Sequence, residues 1–211
     1  MRYGADIAAL ARKDLLLELR ARETVPAMLL FVLAALAVFH FALPAGSGEV
    51  AGQGLLWVAI VFTALLALTR AFVPEREQGL LDALVLAPCD RSAIWVAKSL
   101  AVLAFLGIAE LIALPAFAVF FSGIGGTTVA AVVLADLGIC GVGTLVGAMG
   151  VAGRARELLV PLLFLPLAIP IVVGGVGAGV TGEPRYLGFL ALYDAIFLLV
   201  SWASFEYVVA E

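Results

Sequence analysis

Charge is what this sequence has least of. Only 13% of its 211 residues are Asp, Glu, Lys or Arg, against about a quarter in an ordinary soluble domain. The apolar and aromatic set makes up 64% and the mean hydropathy is +1.19, so a water-soluble globular domain is excluded. Histidine occurs once, as His40, and cysteine twice, as Cys89 and Cys140. With no CxxC, HExxH or CxxCH spacing, a disulfide framework, the common metal motifs and covalent heme attachment are all set aside. The net charge of -4 and the want of any Lys/Arg run argue against a nucleic-acid partner, which needs basic side chains to follow phosphates. Nor is there a G-x-x-x-x-G-K-[ST] segment to cradle the phosphates of ATP. The chain reads as a non-enzyme whose energy, if it uses ATP, comes from another subunit.

The few charges are also unevenly placed. Twenty of the 28 fall in residues 1–24, 70–98 and 153–157, which leaves long stretches almost without any. A membrane span needs about 20 predominantly apolar residues to cross a hydrocarbon core of about 30 Å. Six stretches meet that need, at 25–43, 54–73, 100–121, 128–152, 158–180 and 187–208. The expected fold is therefore an all-α polytopic membrane protein, with a segment at 1–24 preceding a transmembrane domain at 25–211. The first run is too long, and preceded by too many polar residues, to read as a signal peptide.

Lys and Arg set orientation. Eleven of the twelve lie in the segment before the first span, between spans two and three, or between spans four and five; Arg185 alone falls on the other side. Both termini are expected in the cytoplasm, in a cell (inner) membrane.

Residues 5–23 carry no Pro or Gly and read as a helix, with Asp14, Glu18 and Arg22 in one i, i+4, i+8 row. Such a helix suits the lipid surface or a cytoplasmic protein. Between spans two and three, residues 74–91 hold a short amphipathic helix: Leu80, Leu81 and Leu84 fall on one face and Pro88 stops it. Its apolar face needs a cover.

Glu75, Glu77, Gly79, Asp82, Leu84, Pro88 and Lys98 resemble the E-x-E-x-G, acid, Leu, Pro, basic pattern of the ABC-2 type transporter permeases. With Arg12-Lys13-Asp14-Leu15 before the first span and Leu163-Phe164-Leu165-Pro166-Leu167-Ala168-Ile169-Pro170 in the fifth, the chain is similar to the heme exporter B family, the membrane subunits of the cytochrome c maturation system. Asp82 stands where that pattern more usually has Glu. The resemblance implies that Glu75, Glu77, Gly79, Leu80, Asp82, Leu84 and Pro88 couple the chain to a stand-alone ABC ATPase. It also implies a second copy of the permease, other heme-handling membrane proteins as partners, and heme as substrate, with ATP held on the ATPase. An ABC-2 permease for another amphiphile (a lipid, polysaccharide or drug) and a non-translocating membrane scaffold are the competing readings.

Three carboxyl groups, Glu110, Asp136 and Asp194, fall inside spans, where an ionised side chain costs about 2.5–3.5 kcal/mol on insertion scales. They are candidates for an intramembrane polar path, against a purely packing role. Gly143 and Gly147 form a GxxxG face for close helix packing. Pro161, Pro166 and Pro170 in the fifth span, followed by Gly174, Gly175, Gly177 and Gly179, predict a kinked or partly re-entrant element at a subunit or substrate interface, or else a bent packing helix. His40 near the outer end of the first span reads as a boundary residue more readily than as an iron ligand.

Overall fold

The computed structural model describes residues 2–21, 24–44, 48–72, 90–121, 123–152 and 156–210. Among these the chain forms seven α-helices and no strand: α1 Arg2–Ala21, α2 Thr24–Ala42, α3 Gly48–Arg70, α4 Arg91–Phe120, α5 Gly126–Ala152, α6 Arg156–Thr181 and α7 Pro184–Ala210. Helices α2 to α7 are each long and apolar enough to cross a membrane. The protein is a multi-pass membrane protein with α1 as an additional helix.

How each span meets its neighbours follows from its side chains. In α2 the buried residues Thr24, Met28, Val32 and Leu36 recur every fourth position, a single narrow stripe. The remaining surface, with Leu30, Val38 and Phe41 well exposed, faces outward, as suits a peripheral helix in lipid. Pro26 lies in the first turn of this helix, where its missing N–H has no intrahelical acceptor to lose.

Helix α5 is the opposite case. Two-thirds of its apolar window is buried inside the protein, against 17% for α2 and 22% for α7, and it packs against α3, α4, α6 and α7. Glycines on several of its faces make this possible. A Cβ at Gly141 would run into Leu198 of α7, and one at Gly143 would run into Leu68 of α3. At Gly147 a Cβ would come within 2.9 Å of the Phe72 ring, just past the end of α3.

Helix α6 carries Pro161, Pro166 and Pro170 inside one uninterrupted helix, so the re-entrant break entertained from the sequence does not occur. Its glycines are occupied within the chain. Trp57 of α3 lies over Gly175, Gln53 of α3 over Gly179, Leu190 of α7 beside Gly174 and Tyr186 of α7 over Gly177. The Tyr193 hydroxyl of α7 donates to the Leu167 carbonyl at 2.8 Å, a side-chain donor beside the backbone that the prolines deprive of N–H groups. Gly182, at φ 69°, makes the turn into α7, a left-handed conformation that glycine adopts without steric penalty.

Helix α4 has 30 residues, about 45 Å at 1.5 Å per residue, well beyond the apolar thickness. It begins at Arg91, nine positions ahead of the span expected from Leu100. Asp90 caps it, accepting from the Ser92 amide at 2.9 Å and the Ser92 hydroxyl at 2.8 Å. Those bonds hold the Asp90 carboxyl below its ordinary range.

Candidate functional site

The segment that the resemblance marks for coupling, with Glu75, Glu77, Gly79, Leu80, Asp82, Leu84 and Pro88, lies outside the described residues. What is described are the two points from which it departs and to which it returns: Ala71 and Phe72 after α3, and Asp90 before α4.

Those two points are joined by α1, which lies against α4. Asp14 of α1 and Lys98 of α4 form an ion pair, Oδ2 to Nζ, at 3.1 Å. The Lys98 ammonium also donates to the Ala71 carbonyl at 2.7 Å and stands 5.0 Å over the Phe72 ring. Lys13 pairs with the other Asp14 oxygen at 3.0 Å. Lys98 is 3% exposed, so its charge is satisfied almost wholly by the protein. Eleven residues earlier on α1, the Tyr3 hydroxyl meets the Ser92 hydroxyl at 2.9 Å. Beside these polar contacts Phe72, Ile94, Trp95, Ala148 and Phe205 form an apolar cluster against which Leu10 of α1 packs. The face of α1 that includes Ala11 and Leu10 is thus turned to the protein's own bundle, while Leu16 and Leu19 are exposed. The sequence places Asp14 in a row with Glu18 and Arg22 and names no partner for it; the structure gives it Lys98 and Lys13.

Inside the bundle, Glu110 of α4 and Asp136 of α5 bring their carboxyl groups together. Two carboxyl groups can share a hydrogen bond only when one of them carries a proton. Both are buried, and Glu110 Oε1 and Asp136 Oδ1 have no hydrogen-bond partner among the described residues. Glu110 also lines a cavity of about 10 Å³ between α2, α3 and α4, with Val32, Ile60, Thr63 and Leu106. Asp194 of α7 is buried too, but it lies over Gly138 of α5. Gly138 is two positions from Asp136, about 200° around the helix. The structure therefore brings Glu110 and Asp136 together and places Asp194 on the opposite side of α5.

A polar seam runs between α4 and α5 on the Asp136 side. The Thr144 hydroxyl donates to the Cys140 carbonyl, Ser99 and Thr144 share a hydrogen bond at 2.8 Å, and the Trp95 indole N–H donates to the Gly141 carbonyl at 3.2 Å. Ser99 follows Lys98 on α4, and Cys140 lies one turn from Asp136 on α5. At the other end of the molecule, His40 is exposed and sits among Phe41, Phe120 and Phe121, with ring centroids 5.3–5.8 Å away. Among the described residues no three His, Cys, Asp or Glu side chains converge on one point.

Compared with known families, residues 5–204 match the CcmB protein family. The chain belongs to the CcmB family. The match begins inside α1 and ends inside α7, so α1 lies within the family's common region as well as the six spans. Among CcmB relatives, the Pseudomonas aeruginosa protein named heme exporter protein B is 34% identical over 175 residues, 80% of this chain and 78% of that one. Heme exporter protein B of Paracoccus denitrificans is 30% identical, over 81% of this chain and 80% of its own length. That of Bradyrhizobium diazoefficiens is 27% identical, over 82% and 80%. Both the resemblance read from residues 75–98 and the six-helix reading thus converge on CcmB.

Proposed function

We propose that this CcmB-family chain is the permease subunit of an ABC transporter that acts in heme delivery or release for cytochrome c maturation. The observation that carries the reading is the family match over residues 5–204, together with relatives named heme exporter protein B. Heme is the substrate and not a resident cofactor; ATP is bound and hydrolysed by a separate ATPase subunit. A second copy of this chain and other heme-handling membrane proteins complete the assembly.

In this reading the chain sits in the inner membrane with α1 and the 73–89 and 153–155 connections in the cytoplasm, supported by the partition of Lys and Arg. Residues 74–91 carry the coupling segment, whose last two residues cap and open α4, and Glu75, Glu77, Gly79, Leu80, Asp82, Leu84 and Pro88 seat it on the ATPase. Glu110 and Asp136 supply the intramembrane polar surface between α4 and α5, with Asp194 on the far side of α5. The prolines at 161, 166 and 170 bend α6, and Gly143 and Gly147 let α5 close on α3.

The test is genetic. A deletion strain should lose covalent heme on its c-type cytochromes, detected by heme staining of denatured protein, while b-type cytochromes and heme synthesis persist. The sequence has no CxxCH to receive heme, so the defect belongs after synthesis. Normal c-type cytochromes in a strain with no second copy of the gene would overturn the assignment.

A further inference from the structure

We infer that the Asp14–Lys98 pair is a clasp that holds α1 across both ends of the coupling segment, which makes Lys98 a positioning residue for coupling. The coupling half of this inference rests on the ATPase-partnered reading above; the docking half stands on geometry alone.

The geometry is specific to Lys98. One ammonium group bonds three pieces of chain: the Asp14 carboxylate of α1, the Ala71 carbonyl where α3 has just ended, and α4, on which it is carried. Its position at the end of α3 satisfies a carbonyl left without an intrahelical donor and sits at the negative end of the helix dipole. Phe72, the last described residue before the coupling segment, lies under the same ammonium and against Gly147 of α5. The return point is held as well, by Tyr3 to Ser92 and by Arg91 to the Glu206 carbonyl of α7 at 3.3 Å. Helix α1 therefore touches the departure and the return of residues 73–89, and Lys98 fastens it to the departure.

A buried ion pair is a poor stabiliser compared with apolar packing, because desolvation offsets most of the attraction, but removing one partner leaves the other charge stranded. Such a pair serves orientation better than stability. A push on residues 73–89 from an ATPase would reach Phe72 and Asp90 first. With α1 clasped, both points move together with α4 and carry the polar seam toward Glu110 and Asp136; with α1 loose, each end yields by itself.

Two readouts test this, using Asp14→Asn, which keeps side-chain size, Lys98→Met, and the double variant. Spin labels at the exposed positions Leu16 and Leu100, in an otherwise cysteine-free full chain, report the distance between α1 and α4. Each single variant should broaden that distance distribution, and the double should be no broader than the worse single, as expected for partners in one interaction. In the cell, the ATPase subunit should still co-purify with each variant while covalent heme attachment falls about tenfold, the scale of mutations that disturb coupling between sites. An unchanged distance distribution in both single variants would overturn the clasp. Additive broadening in the double would also overturn it, and a released α1 with normal heme attachment would overturn the positioning role. Loss of the ATPase from the wild-type chain would instead sink the partnered reading, while the distance measurement still decides the docking.

Discussion

At Gly175 a single methyl group decides whether α3 and α6 can lie where they do. The Trp57 ring fills the space that a Cβ would take, and Trp57 is fully buried, so neither side can give way without opening the bundle. Gly175→Ala should therefore lower unfolding stability in detergent by about 1–3 kcal/mol, the usual cost of forcing extra volume into a packed core. Gly107 is the matched control, since nothing lies within 4 Å of a Cβ there. Gly107→Ala, gaining helix propensity, should be neutral or more stable by up to about 1 kcal/mol. A thermal-shift series on the two purified variants checks the contrast, and equal destabilisation would contradict the packing described. The Glu110–Asp136 pair makes a second contrast at this scale. Glu110→Gln keeps a donor for the Asp136 carboxyl and should cost little, whereas Asp136→Leu leaves a buried carboxyl unpaired and should cost about 1–3 kcal/mol. The same thermal series reads both, and a larger loss in Glu110→Gln would show that the carboxyl pair is not what joins α4 to α5.

At the scale of the element, α4 shows what a one-dimensional reading captures and what it misses. The span was visible from Leu100 onward because the apolar run is unbroken there; Arg91 and Lys98 hid the two helical turns before it, since a charge in the sequence looks the same on a loop and on a projecting helix. What keeps those turns helical is Asp90, which caps them, and Asp14, which neutralises Lys98 from a distant part of the chain. Likewise Glu110 and Asp136 stood out as acids inside spans, but their pairing depends on how α4 and α5 are rotated, and that is set by the glycines of α5 acting on three other helices. The spacing of Leu80, Leu81 and Leu84 in the sequence remains the clearest signal of an external partner. Leu84→Asp would place a charge in the contact proposed above for the ATPase, where an unpaired ion shielded from water is costly. We expect the variant to insert in the membrane at the wild-type level and to lose the ATPase on affinity purification. Undiminished recovery of the ATPase would remove this loop as the contact.

The whole molecule is a bundle with small-residue α5 inside and α2 and α7 at the periphery. Its connections alternate between two ends. Residues 43–47, 121–125 and 182–183 join helices at one end, and residues 71–90 and 153–155 at the other, where α1 also lies. Charge distinguishes the ends sharply: Arg185, in the first turn of α7, is the sole Lys or Arg flanking the first group, while the other eleven belong to the second group, its flanks, or α1 with the residues that follow it. Because Lys and Arg near span ends resist translocation, this asymmetry favours the orientation proposed above. Reporter fusions after Gly48, Gly125 and Gly182 should be active only as external reporters, and fusions after Ala87 and Ala155 only as cytoplasmic ones. The clasp between α1 and α4 makes the expectation stricter, since Lys98 meets Asp14 only if residues 1–24 and 73–89 share a side. A reversed signal at two of the five sites would overturn the topology, and with it the placement of the coupling segment facing a cytoplasmic ATPase.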